Sequence, residues 1–255
     1  MSLLATLDNN ADAPMSAPKG IIYGSIGVGK TIFGLNATQR FVLNCENGAV
    51  YTKKGVTDYL RTWNEMLPWM QAIAYEEHDY KTFVVDTIDW LLRRIEEHVS
   101  GTDGKGKGLE ATLNRSHGGY GNGKQVLMNY VYQEVLPLLD KMVERGISVV
   151  LLAHASRQNF TNIDGVTIEK SSPDIHPVLQ QTFVEWSDFV GAAKVEGDDR
   201  VLFLTETSQY LAKNRYGIAD PIRFDWDEFC GAIGNNFKKL TSELLKQQSA
   251  VSDQQ

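Results

Sequence analysis

Four short apolar runs without alternation punctuate the chain: Gly20-Ile21-Ile22-Tyr23, Phe41-Val42-Leu43, Phe83-Val84-Val85 and Ile147-Ser148-Val149-Val150-Leu151-Leu152. Runs of this length with no polar face predict strands buried on both sides. Between them the period changes to that of a helix. After the third run Ile88, Leu91, Leu92, Ile95 and Val99 share one helical face, and residues 125–145 place Leu127, Val131, Leu138 and Met142 in the same way. Strand and helix in repetition predict a parallel sheet covered by helices. Beyond about residue 185 the pattern becomes Phe189-Val190, a turn at Gly197-Asp198-Asp199, and Val201-Leu202-Phe203-Leu204, which predicts an antiparallel hairpin. The expected fold class is α/β, a mostly parallel central sheet flanked by helices with an antiparallel C-terminal extension. Residues 1–18 lack periodicity and residues 247–255 are rich in Gln and Ser, so the reading is a flexible tail over 1–18, one domain over 19–235, and a C-terminal helix with a polar tail over 236–255. No repeat of 20 to 50 residues is present, which argues against a solenoid or propeller.

With 255 residues, 42% hydrophobic and 22% charged, the chain has the composition of a globular domain. No apolar run approaches the roughly 18 residues of a membrane span, and the first residues lack the basic start and apolar core of a signal peptide. The expectation is a soluble, cytoplasmic protein with no membrane partner. Cys45 and Cys230 are the only cysteines, too few for a disulfide framework or a cysteine-based zinc site. Twenty-five Lys and Arg against 32 Asp and Glu give a net charge of -7, so any contact with a polyanion must be local.

Gly24-Ser25-Ile26-Gly27-Val28-Gly29-Lys30-Thr31 fits G-x-x-x-x-G-K-[ST], placed after the first strand and before the helical pattern Ile32-Phe33-Gly34-Leu35. In such a loop the glycines turn backbone N–H groups toward phosphates. Lys30 brings a positive charge to the β- and γ-phosphates, and the Thr31 hydroxyl is placed for Mg²⁺. A dinucleotide fingerprint does not fit, since Gly27-Val28-Gly29 is followed by Lys30, Thr31 and Ile32, with no third glycine among them. A nucleotide bearing β- and γ-phosphates, with Mg²⁺, is therefore the expected cofactor, and the resemblance below implies that it is ATP. Thr82-Phe83-Val84-Val85-Asp86 is an apolar strand ending in a carboxylate, and Asp86 is the second candidate for holding the metal. It also reads as a cap of the helix from Ile88, and Asp89 is the weaker rival for the metal. Glu46 follows the second strand. Carboxyl ends of parallel strands share one rim, so Glu46 is the candidate base, although a turn glutamate on the surface reads the same way. Glu76 and Glu77 read as a solvated helix end.

The order P-loop, strand-Glu, strand-Asp, strand-polar resembles the RecA-like ATPase core, and the segment Ala212-Lys213-Asn214-Arg215-Tyr216-Gly217 resembles the Lys-x-Arg element by which such subunits reach a neighbour's ATP. From Gly20 to about Phe229 the chain is similar to phage-encoded minimal RecA-like ATPases, some of which are single-strand annealing recombinases. The resemblance implies that His154, in Leu152-Ala153-His154, is a polar sensor at the tip of the fourth strand where the family commonly has Gln. On the residues alone, a structural histidine fits equally. It implies that Lys213 and Arg215 act in trans, whereas a salt bridge to an acidic neighbour is the local alternative. It further implies two single-strand-binding loops. The first is 101–124, with Lys105, Lys107, Arg115 and Lys124 against Asp103 and Glu110, a balance of 4 - 2 = +2; the second is 156–178, with Arg157, Phe160 and Lys170. Tyr120 or Phe160 would stack a base. A mobile solvated loop reads the same way. Asn44-Cys45-Glu46 departs from the family's Asp-x-Glu, which keeps the base and removes a carboxylate.

The function implied is an oligomeric, ring or filament, Mg-dependent ATPase stimulated by DNA, acting on single-stranded DNA in phage recombination or replication within the host cytoplasm. A single-strand DNA-binding protein is a further implied partner. The alternatives are a helicase or helicase-loader motor, and a nucleotide-gated assembly module with little hydrolysis.

Overall fold

The computed structural model describes residues 16–47, 54–101, 112–161 and 164–235. Lys105 and Lys107 lie outside the described residues. The four apolar runs are strands β1 (Lys19–Gly24), β2 (Arg40–Asn44), β3 (Thr82–Asp86) and β4 (Ser148–Thr161), interleaved with helices α1 (Lys30–Leu35), α2 (Trp63–Tyr75), α3 (Ile88–Val99), α4 (Asn122–Tyr130) and α5 (Leu136–Glu144). After β4 come β5 (Thr167–Pro173), α6 (Pro177–Trp186), β6 (Phe189–Glu196), β7 (Asp199–Phe203), β8 (Lys213–Asn214) and β9 (Ile222–Arg223). Glu76 and Glu77 sit just past the end of α2, both exposed.

The sheet runs β2-β3-β4-β1-β6-β7-β9, and β2, β3, β4, β1 and β6 are all parallel. This is the α/β fold class expected, a mixed, mostly parallel sheet flanked by helices. Period two divides each central strand between two cores. Ile21, Tyr23, Phe83, Val85, Val149 and Leu151 pack under α2 to α6, while Ile22, Val84, Val150 and Leu152 pack under α1 and the helical residues 226–235. No helix among the described residues is long and apolar enough to cross a membrane.

Three elements differ from the sequence expectation. The first arm of the C-terminal hairpin, β6, is a parallel partner of β1 and only its return β7 is antiparallel, so the extension starts one strand later than expected. The helix expected over 125–145 has a π-helical turn at Val131–Val135 between α4 and α5. Pro137 has no N–H to give to the preceding turn, and widening the helix there absorbs the lost bond while Leu127, Val131, Val135 and Met142 stay buried. Segment 156–178, expected as a loop, is mainly a β-ribbon. β4 runs past the sheet to Thr161 and pairs antiparallel with β5 over Ala155–Thr161.

Close approach of β1 to β6 requires Gly20. A Cβ there would lie 2.2 Å from the Phe189 carbonyl oxygen and 2.7 Å from the Phe189 ring. We expect Gly20→Ala to force the two strands apart and cost about 1–3 kcal/mol, seen as a lowered urea midpoint. An unchanged midpoint would show that the β1–β6 contact has slack.

Candidate functional site

Strand register gathers the candidate residues. Gly24 stands opposite His154 on β4 and Ala193 on β6, and Asn44 opposite Asp86. The P-loop, Glu46, Asp86 and His154 therefore share the carboxyl edge of the sheet. In the P-loop Gly27 and Gly29 take φ of 82° and 105°, values that disfavour any side chain with a Cβ. Ser25, Ile26 and Gly27 are exposed at its tip, while Lys30 is buried and folds back, its Nζ donating to the carbonyls of Gly24 at 3.0 Å and Ser25 at 3.1 Å. Burial pushes its ammonium below the ordinary lysine value, and the charges of Glu46, Asp86 and Asp89 oppose that shift. The lysine is thus held by carbonyl oxygens that are weaker partners than a phosphate.

Asp86 is 1% exposed, and neither of its carboxylate oxygens makes a hydrogen bond of good geometry, the Thr31 hydroxyl standing close enough only to lower its pKa; Oδ1 of the neighbouring buried Asn44 has no partner. Burial raises its pKa from 3.8 to about 6, with the Thr31 hydroxyl, Lys30 and His154 offsetting only part of the effect and Glu46 adding to it. Hard oxygen donors, buried and unsatisfied beside a threonine hydroxyl, fit a divalent cation of the Mg²⁺ type, held by Asp86 and Thr31 directly or through water. Asp86 does not cap α3. The N-cap is Thr87, and its side chain makes no cap bond because its hydroxyl donates to Glu46 Oε2 at 3.1 Å.

Asp89 has a role that the sequence reading missed. Its two oxygens grip His154 twice, Oδ1 accepting from the backbone N–H at 3.1 Å and Oδ2 facing ring Nδ1 at 2.9 Å. The other ring nitrogen, Nε2, lies 3.5 Å from Glu46 Oε2. Glu46, Asp89 and His154 offer atoms within 4.8 Å of one another, a group able to hold a metal. Asp89, however, already spends both oxygens on His154. The carboxylate orients the imidazole, so Asp89 serves the histidine rather than competing with Asp86.

Lys213 and Arg215 are far from this rim. Lys213 opposes Val190 on β6, at the amino edge of the sheet, and its Nζ donates to the Val184 and Glu185 carbonyls at the end of α6, at 2.8 and 2.9 Å. Arg215 pairs with Asp188 at 3.0 Å, the local salt bridge that the residues alone allowed, although its side chain stays 55% exposed. Neither cation can reach the P-loop of its own chain. Arg157 and Phe160 lie on opposite faces of the β4–β5 ribbon. Arg157 is exposed and pairs with Glu169 at 3.3 Å, while Phe160 is half-buried with the Lys170 ammonium 5.9 Å from its ring. Arg115 is exposed in the turn before α4, Lys124 is in the first turn of α4, and Tyr120 is fully exposed. Where two loops were expected, Arg115 and Lys124 sit in a turn and the start of α4, and Arg157, Phe160 and Lys170 on a β-ribbon.

With Asp86 protonated up to about pH 6 in the fold and only to 3.8 unfolded, the folded state binds the extra proton between those values. This group's contribution to stability is therefore greatest at low pH, falls as pH rises from 3.8 to about 6, and stays lost above that. We expect Asp86→Asn to stabilise the ligand-free protein by up to roughly 3 kcal/mol at pH 7.5 and by little near pH 4, measured by urea unfolding. An Asn variant no more stable than wild type at pH 7.5 would mean that the carboxylate is not strained.

A family model described as AAA domain matches residues 16–216. Among curated proteins none matches. Among solved structures 144 chains do. One is a KaiC-like protein from the hyperthermophilic archaea Pyrococcus horikoshii OT3, 13% identical, with 74% of this chain and 78% of that chain covered and a TM-score of 0.39.

Proposed function

The chain belongs to the AAA-domain family, and from that premise we propose that it is a magnesium-dependent ATPase of the RecA-like kind that assembles with copies of itself and acts on single-stranded DNA. The observation that carries the ATPase part is the rim. A P-loop lysine on provisional carbonyl partners, a buried carboxylate whose charge is only partly compensated, and a glutamate positioned by Thr87 stand together on one edge. Mg²⁺, when bound, offsets charge on the phosphate oxygens. Lys30 exchanges its carbonyls for the β- and γ-phosphates. Glu46 accepts a proton from the attacking water, and His154, fixed by Asp89, orients that carboxylate.

Two features support the assembly and DNA parts. Lys213 and Arg215 lie across the sheet from their own P-loop, so any nucleotide they served would be a neighbour's, as for an arginine finger in trans. β4 passes without interruption from His154 into the ribbon bearing Arg157 and Phe160, so movement at the rim has a rigid path to a projecting arm. Annealing or strand exchange in phage recombination or replication is the task that this arrangement suits. A second reading, a nucleotide-gated assembly module with little hydrolysis, is favoured by one observation: both trans candidates are engaged within their own chain, Lys213 on α6 and Arg215 on Asp188.

Steady-state ATP turnover with and without single-stranded DNA decides between them. We expect DNA to raise the rate, Glu46→Gln to bind ATP yet turn over at least a hundredfold more slowly, and Lys30→Ala to lose binding. Mixing Arg215→Ala subunits with Lys30→Ala subunits should restore turnover where a sound P-loop meets a sound arginine. Slow turnover that DNA leaves unchanged supports the assembly module. A mixture that co-assembles and never exceeds its parents removes the trans finger.

A further inference from the structure

We infer that the hydroxyl of Tyr23 is the joint through which the nucleotide state of the P-loop reaches the β4–β5 ribbon and the strand that carries Lys213. The inference rests on the nucleotide and DNA reading given above and assigns the regulation which that reading leaves open. β4 carries the rim into one arm of the ribbon, whereas the return arm β5 and the segment leading to β8 are bonded to the P-loop strand through this hydroxyl.

Position comes first. Tyr23 directly precedes Gly24, the P-loop residue whose carbonyl holds Lys30 Nζ at 3.0 Å. Its register partners are Ala153 on β4 and Ala192 on β6, two small side chains that leave room for a ring only 1% exposed. The hydroxyl stands 2.9 Å from each of two carbonyl oxygens, those of Ser171 and Leu211. Ser171 lies opposite Arg157 in the ribbon. Leu211 is followed closely by Lys213 and Arg215. One buried group thus adjoins the anchor of the P-loop lysine, the exposed cation of the ribbon and both trans candidates.

Chemistry comes second. A phenol has one proton, so it donates fully to one carbonyl at a time. Burial pushes its pKa well above the ordinary tyrosine value, which keeps that proton in place. The Ser171 carbonyl also accepts from the Leu211 N–H at 2.9 Å, and the Ser171 N–H donates to the Gln209 carbonyl at 2.8 Å, so Ser171 keeps a partner whichever way the phenol turns. Donation can therefore shift from one segment to the other at low cost, a two-position element of the kind that coupling requires. The segment it controls is held as a unit, with Tyr210 stacked on Phe203 at 5.4 Å between ring centroids and Glu206 paired with Lys170 of β5 at 2.6 Å. A phosphate that draws Lys30 off the Gly24 carbonyl frees the peptide next to Tyr23, and a shift of the phenol changes its hold on residues 205–211 and on the ribbon together.

The test reads coupling rather than activity. Labelled oligo(dT) is titrated onto the full chain in magnesium, with and without ATPγS, and the ratio of the two dissociation constants is the coupling factor. We expect ATPγS to tighten DNA binding by the wild type about fivefold or more, and Tyr23→Phe, which keeps the ring, to bring the factor to within about twofold of unity while each ligand alone binds with wild-type affinity. Tyr130→Phe removes a different tyrosine hydroxyl, one that accepts from Trp63 Nε1 at 2.7 Å, and should keep the wild-type factor. Hydrogen exchange of the wild type should change in β5 and in residues 205–211 when ATPγS binds, a readout that needs no variant. A wild-type factor of unity, a Tyr23→Phe factor equal to wild type, an equal loss in Tyr130→Phe, or exchange in those segments that ATPγS leaves unchanged overturns the inference and leaves the DNA reading standing. Weaker binding of both ligands by Tyr23→Phe with the factor intact does the same, since Tyr23 would then be structural only. A wild type that binds no DNA overturns the DNA reading, and the inference with it.

Discussion

A buried carboxylate whose charge is only partly compensated is costly to a fold, and Asp86 is that carboxylate. It stands at the end of β3 because the parallel register of β2, β3, β4 and β1 brings four strand ends to one edge, and its neighbours there answer to it. Lys30 is buried nearby and bonded only to carbonyls of its own loop. Thr87, the residue that should cap α3, gives its hydroxyl to Glu46. Thr87 thus forgoes its cap bond, and Lys30 has only carbonyl partners for a buried charge. An arrangement that sacrifices stability at one point, inside cores otherwise apolar on both faces of the sheet, marks where a charged ligand completes the structure.

β4 links that edge to the rest of the molecule. Its first half, Val149 to Ala153, is buried between β3 and β1, and its second half leaves the sheet as one arm of an exposed ribbon. The change occurs at His154, whose backbone and ring are both held by Asp89 at the start of α3. The strand therefore changes partners, from β1 and β3 to β5, at the residue that faces Glu46. On the opposite edge, Lys213 closes the end of α6 and Arg215 holds Asp188, so that side of the chain presents cations already held by their own fold.

Much of this was legible because it is local. The P-loop is eight consecutive residues, and Asp86 ends an apolar run whose burial needs no knowledge of partners. The helix over 88–99 announced its buried face by period alone, and all five expected residues are buried. What escaped was tertiary. Asp89 and His154 are 65 positions apart, and nothing in either segment signals the pairing. The ribbon was read as a loop because Ser156 to Thr161 alternates polar with polar, so the period of two carries no hydropathy contrast until Phe160. β6 was recognised as a strand, but its parallel partner β1 lies more than 160 residues earlier.

The central claim is that the carboxylate edge is completed by a divalent cation together with a nucleotide. The melting temperature of the wild-type chain at pH 7.5 tests this most directly, measured with ATP and magnesium, with ATP in excess EDTA, and with neither. The account predicts a substantial rise with ATP and magnesium together and only a small one in EDTA, since without the cation the phosphates add negative charge beside Asp86. An equal rise in both conditions would contradict it, because the nucleotide would then be bound with the Asp86 carboxylate still unpaired.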